Sequence, residues 1–115
     1  MNDSSSWDQH KTISSLGGSR SIIEKLAMLF LRDAPNQMQQ ALSGIQQQDY
    51  DKGHVAAHSL KGTSSNFYTS RFEFICAELL EALNKRDWLA AEQLHAQLRI
   101  EYSQLEVEFK IFLHQ

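Results

Sequence analysis

The chain has 115 residues, 42% of them apolar and 22% charged, and a net charge of -3. That is enough for one domain around one core. It leaves no basic face for a nucleic acid and no apolar run near the ~20 residues that span a bilayer. Cys76 is the only cysteine, so no internal disulfide can form, which fits a reducing cytoplasm. The N-terminus, MNDSSSWDQHK, lacks the basic-then-apolar order of a signal peptide. Neither GxxxxGKS nor GxGxxG occurs, so the chain is not expected to bind or hydrolyse ATP by itself.

Breakers are scarce, with one proline and five glycines, and apolar residues recur at spacings of three and four. Residues 1–6 are polar, and residues 1–7 are expected to fray. A short helix over 8–16 ends at Gly17-Gly18. The first long helix starts near Ser19 or Ser21, where Ser21-Ile22-Ile23-Glu24 has capping-box spacing. Its apolar side is Ile22, Ile23, Leu26, Leu29 and Phe30, and it is expected to end near Asp33 because of Pro35. A second helix covers about 36–48, with Met38, Leu42 and Ile45 inward. Asp49 or Asp51 caps a third, running to Phe67. Ser70-Arg71-Phe72-Glu73 opens a fourth to about Lys85, burying Phe72, Ile75, Cys76, Leu79 and Leu83. Asp87 caps a last helix of about 25 residues whose stripe is Trp88, Ala91, Leu94, Leu98, Leu105, Phe109 and Phe112. Short connections make successive helices antiparallel. The expected fold is all-α: an up-down-up-down four-helix bundle with an additional N-terminal helix across one end, closing its core within a monomer.

The third helix carries the unusual chemistry. At about 100° per residue, Ala56, Ala57, Leu60, Thr63, Ser64 and Phe67 fall on one side, the expected core side. Asp51, His54, Val55, Lys61, Gly62 and Ser65 lie within about 60° of His58 on the other. A glycine inside a helix costs about 1 kcal/mol relative to alanine. At Gly62, one turn beyond His58, it leaves the imidazole open to a second macromolecule. Lys61 can reach a negative group attached to the ring. An ordinary imidazole, with a pKa of about 6.5, is mostly neutral near pH 7 and nucleophilic. Nucleophile, cation and clearance together fit phosphoryl acceptance.

Ala57-His58-Ser59-Leu60-Lys61-Gly62-Thr63-Ser64 resembles the alanine-histidine-x-leucine-lysine-glycine pattern of the histidine-containing phosphotransfer domains of multistep two-component signalling. "LAMLFLRDAPNQMQQAL" looks like that family's first two helices, "FICAELLEAL" like its post-histidine helix, and "RDWLAAEQLHAQL" like the start of its last. The likeness covers about residues 8–113. It implies that Nε2 of His58 takes a phosphoryl group from a receiver-domain aspartyl phosphate and passes it to another receiver's aspartate. It implies that Lys61 balances the phosphoryl charge and that the partner receiver supplies Mg²⁺, so this chain holds no cofactor or metal. It also implies docking over the His58 face, with His54, Val55 and Ser65 as candidate contacts, in the cytoplasm and without membrane contact. Two positions depart from the pattern. Tyr68 stands where a glycine is usual, so a differently shaped turn is expected. Leu80 stands where many members place a Gln or Glu facing the ring, leaving water as the expected partner of Nδ1.

Other readings compete. An unphosphorylated helical adaptor would share the fold but has no use for His58, Lys61 and Gly62 together. His54 and His58, four apart, have the spacing of two metal ligands, but the glutamate of HExxH and a third ligand are missing. Cys76 is expected as a small core residue. Glu101, Glu106, Glu108 and Lys110 read as a solvated face.

Overall fold

In the computed structural model, which describes residues 5–115, the elements are α1 (Gln9–Ser15), α2 (Arg20–Gln46), α3 (Tyr50–Ser64), a 3-10 turn over Ser65–Phe67, α4 (Ser70–Asn84) and α5 (Trp88–Leu113). Helices α2 to α5 form an antiparallel bundle in which each packs on its chain neighbour and α5 closes the ring against α2. Helix α1 lies against the 3-10 turn and α2 at one end. This is the expected four-helix architecture with its extra N-terminal helix.

The boundaries differ from expectation at Pro35. The two helices expected over about 19–33 and 36–48 are one 27-residue helix with Pro35 inside it. Proline removes one backbone hydrogen bond and crowds the preceding turn, at roughly 3 kcal/mol in a helix interior. Packing overrides that local preference. Pro35 itself is exposed, while Ala27, Phe30, Ala34, Ala41 and Ile45 are buried on both sides of it, so a single buried face holds the helix together. Ile22 and Leu29, expected inward, are 48% and 44% exposed. Of the two serines expected to open α2, Ser19 is the cap, its hydroxyl accepting the Ile22 N–H at 3.3 Å. Thr69, not Ser70, precedes α4, with its hydroxyl donating to the Ser64 carbonyl at 3.0 Å. Asp49 and Asp87 cap α3 and α5 as expected, accepting the N–H groups of Lys52 and Ala90.

The expected fraying of residues 1–7 does not extend to Ser6 and Trp7; residues 1–4 lie outside the described residues. Trp7 is buried and meets Phe109 and Phe112 edge to face at 5.0 and 5.3 Å. The Ser6 N–H donates to the Glu108 carboxylate at 2.8 Å. An indole carries too much apolar surface to leave in water when an aromatic cluster can receive it.

Helices α2 and α3 approach closely at Gly44 and Gly53. A methyl at Gly44 would lie 2.8 Å from the Gly53 Cα, and one at Gly53 would lie 3.2 Å from Leu83 Cδ2. On the other side, His95 ties α5 to α2. Its stripe position, four after Ala91 and three before Leu98, was legible in the sequence but is absent from the expected core. It is buried, and Nε2 lies 2.8 Å from the Met38 carbonyl, so Nε2–H donates to that oxygen. Burial holds its pKa below the ordinary value, outweighing that hydrogen bond.

Two stability predictions follow from these contacts. Gly44→Ala overpacks the α2–α3 crossing and lowers unfolding free energy by about 1–3 kcal/mol in urea titration; an unchanged midpoint contradicts the close approach. His95 binds its proton more readily unfolded than folded. Stability is therefore greatest above about pH 6.5 and falls as pH drops from there toward the folded-state pKa. Thermal midpoints measured from about pH 7.5 to about pH 5.5 should fall more steeply for the natural chain than for His95→Gln. Equal slopes would remove His95 as the cause.

Candidate functional site

Helix α3 begins at the Asp49 cap, with Asp51 placing a negative charge at its positive end. Its buried face is Gly53, Ala56, Ala57, Leu60 and Ser64, mostly small residues that let it sit close to α2 and α4. The helical repeat then turns His58 outward. His58, Lys61, Gly62, Val55 and Ser65 are all exposed, and His54 is half-buried. Thr63, expected on the core side, is exposed; its hydroxyl donates back to the Ser59 carbonyl at 3.0 Å. Ser64 and Ser65 bond back to the carbonyls of Lys61 and Gly62 in the same way, so the Ser65 hydroxyl is committed to its own helix.

Among the described residues, neither ring nitrogen of His58 makes a hydrogen bond. Its one ring contact is His54, at 6.0 Å between centroids and 19° between planes. Lys61 has no ion pair or hydrogen bond among the described residues, so its ammonium is uncommitted. Leu80 is half-buried and has no polar atom, and its neighbour Glu81 pairs with Lys85 at 3.6 Å. Around Gly62 the space is empty: a Cβ there would meet nothing within 4 Å. Unlike Gly44 and Gly53, Gly62 is not demanded by the packing of its own chain.

The turn after α3 keeps a left-handed residue at Tyr68, with φ 51° and ψ 53°. Glycine adopts that conformation freely and tyrosine does not, at about 1–2 kcal/mol. Cys76 is fully buried, and burial, with Glu73 nearby, pushes its thiol up to about 12, so it stays protonated and inert. Among the described residues no group of three His, Cys, Asp or Glu side chains comes together, and His54 and His58 lack a third ligand. No helix among the described residues is long and apolar enough to cross a membrane.

Beside His58 a shallow groove runs between α2 and α3, lined by Gln37, Gln40, Lys52, Val55 and Ser59. A second depression, sharing Gln37 with the first, is lined by Leu29, Asp33 and Asn66 toward the end of α3. Tyr50, outside the expected site, stands four residues before His54 with its ring 5.2 Å away. The 50–54–58 spacing was present in the sequence; what lies beyond Tyr50 comes from another element and was not.

Because nothing fills the space at Gly62, Gly62→Ala should raise unfolding free energy by about 0.5–1 kcal/mol, the opposite sign to Gly44→Ala. Destabilisation by Gly62→Ala would show that the glycine serves the fold.

No curated protein matches the chain by sequence. Among solved structures, the chain is similar to histidine-containing phosphotransfer protein B (HptB) from Pseudomonas aeruginosa PAO1. The TM-score is 0.88 at 22% identity, over 97% of both chains. It is also similar to the histidine-containing phosphotransfer protein ZmHP2 from maize, with a TM-score of 0.81 at 22% identity, over 95% of this chain and 80% of the maize protein. At such identities these likenesses establish the fold. The family model for the Hpt domain matches residues 25–108, which takes in all of α3 and α4 and most of α2 and α5. The chain therefore belongs to the Hpt domain family.

Proposed function

We propose that this protein is a phosphocarrier of a two-component phosphorelay, taking a phosphoryl group onto His58 from a receiver-domain aspartyl phosphate and delivering it to the aspartate of another receiver. The observation that carries this reading is the outer face of α3. Among the described residues it holds an exposed imidazole without hydrogen bonds, an uncommitted ammonium three residues on and empty space one turn beyond. A phosphoryl group travelling between two proteins needs those three things.

The lone pair of His58 Nε2 attacks phosphorus in line with the aspartyl oxygen. The N–P bond forms as the P–O bond breaks, and the electron pair returns to the receiver carboxylate. The proton on Nδ1 leaves to solvent as the phosphorylated ring becomes neutral. On delivery the ring takes a proton back and leaves as neutral imidazole. The transition state is loose, with charge spread over the phosphoryl oxygens, so the protein contributes positioning and charge rather than covalent chemistry. Lys61 supplies charge on this side. Mg²⁺ belongs to the receiver, and the chain acts as a cytoplasmic monomer. The receiver docks over the α2–α3 groove, where Val55 is 64% exposed and Leu29 44%; apolar contact there excludes water and strengthens the Lys61 interaction.

Transfer from a phosphorylated receiver, read by acid-labile label, separates the roles. His58→Gln abolishes labelling. Lys61→Ala slows it about tenfold, the loss of one partly desolvated charge contact of about 1.4 kcal/mol. Gly62→Gln blocks labelling while the helical circular dichroism stays intact. Full labelling of His58→Gln would replace this reading with another acceptor, and absence of label in the natural chain would leave a helical adaptor.

A further inference from the structure

The imidazole of His58 is the last member of a four-part stack. Tyr50, His54 and His58 stand four residues apart on α3, with ring separations of 5.2 and 6.0 Å and interplanar angles of 32° and 19°. The Tyr50 ring also meets Arg86, whose guanidinium carbon is 3.9 Å from the ring centroid. Arg86 belongs to the α4–α5 turn, where it takes a left-handed φ of 55°, and its Nη1 donates to the Asn84 carbonyl at 3.2 Å. The Tyr50 hydroxyl donates to Asn84 Oδ1 at 2.8 Å. The foot of the stack is thus fixed to a second element by a hydrogen bond and a cation–π contact.

Its free end has no such anchor. His58 makes no hydrogen bond among the described residues, and Leu80 has no polar atom to offer it. An exposed side chain without partners changes rotamer within picoseconds to nanoseconds. In-line attack requires the reacting nitrogen within a narrow range of positions, and a misplacement of 1 Å can cost about a hundredfold in rate. The one ring found near His58 among the described residues is that of His54, 6.0 Å away between centroids and 19° from parallel.

We infer that His54 is a positioning residue for the phosphoryl acceptor, holding the His58 ring plane through a stack rooted at Tyr50, Asn84 and Arg86. The inference rests on the phosphocarrier reading for its kinetic consequence, but not for its structural one. It separates His54 from Val55, whose role is contact with the partner: His54 acts on the rate once the complex has formed, Val55 on its formation. It also makes the ring, rather than its charge, the working part, which His54→Phe would preserve.

The test has two arms on the full chain. By NMR, ring–ring Overhauser contacts and side-chain couplings should show one dominant His58 rotamer in the natural chain and in His54→Phe. Averaged couplings are expected in His54→Ala and Tyr50→Leu. In transfer assays from a phosphorylated receiver, His54→Ala should slow transfer at saturating receiver about tenfold with the half-saturating concentration unchanged, and His54→Phe should stay within about twofold of the natural chain. A His58 rotamer that is averaged already, or indifferent to His54→Ala, overturns the inference. So does a loss seen only in the half-saturating concentration. If the natural chain takes no label, the phosphocarrier reading fails while the rotamer arm still decides the stack.

Discussion

The close seat of α3 between α2 and α4 governs the rest of the molecule. It depends on a run of small side chains: Gly53, Ala56, Ala57 and Ser64 on α3, with Gly44 on α2. A methyl group at Gly44 could not be accommodated without movement of the backbone opposite. With one face of α3 committed in this way, the 3.6-residue repeat leaves no choice for the other. His58, Lys61 and Gly62 are on the outside because Ala57, Leu60 and Ser64 are inside. The site is therefore a consequence of helix packing and needs no loop to build it.

The two kinds of glycine in this chain show how function and fold can be told apart physically. Gly44 and Gly53 are explained completely by neighbours within contact distance, and Gly62 by none. A helix-interior glycine lowers stability, so one with no packing reason points outward, to something that approaches from solution. Tyr68 is a third case, where a left-handed turn survives without glycine at all. Backbone geometry there is held by its surroundings, including the Thr69 hydroxyl bonded to the Ser64 carbonyl.

What the sequence made legible was whatever depends on a single helix. The outer placement of His58, Lys61 and Gly62 and the burial of Ala57, Leu60 and Cys76 follow from periodicity alone, and the structure agrees. Errors came where two local rules competed or where packing outweighed one. Pro35 marks a helix end by local sterics, yet a continuous buried face carries α2 through it. Ser21 and Ser70 have capping-box spacing, but Ser19 and Thr69 hold the cap positions. Trp7 joins Phe109 and Phe112 across about a hundred residues of chain, and the Arg86–Tyr50 contact joins the α4–α5 turn to the first residue of α3. Contacts between elements leave no periodic trace, so the support beyond Tyr50 could not be read from spacing. His95 could have been, since it lies on the α5 stripe, but its polarity hid it until its bond to Met38 was seen.

The most direct measurement is the atomic position of the phosphoryl group. After incubation with a phosphorylated receiver, correlated phosphorus–proton NMR of the intact chain identifies both the residue and the ring nitrogen that carries it. A single phosphohistidine is expected, at Nε2 of His58. Phosphorylation of Nδ1, or of His54 in its place, would contradict it.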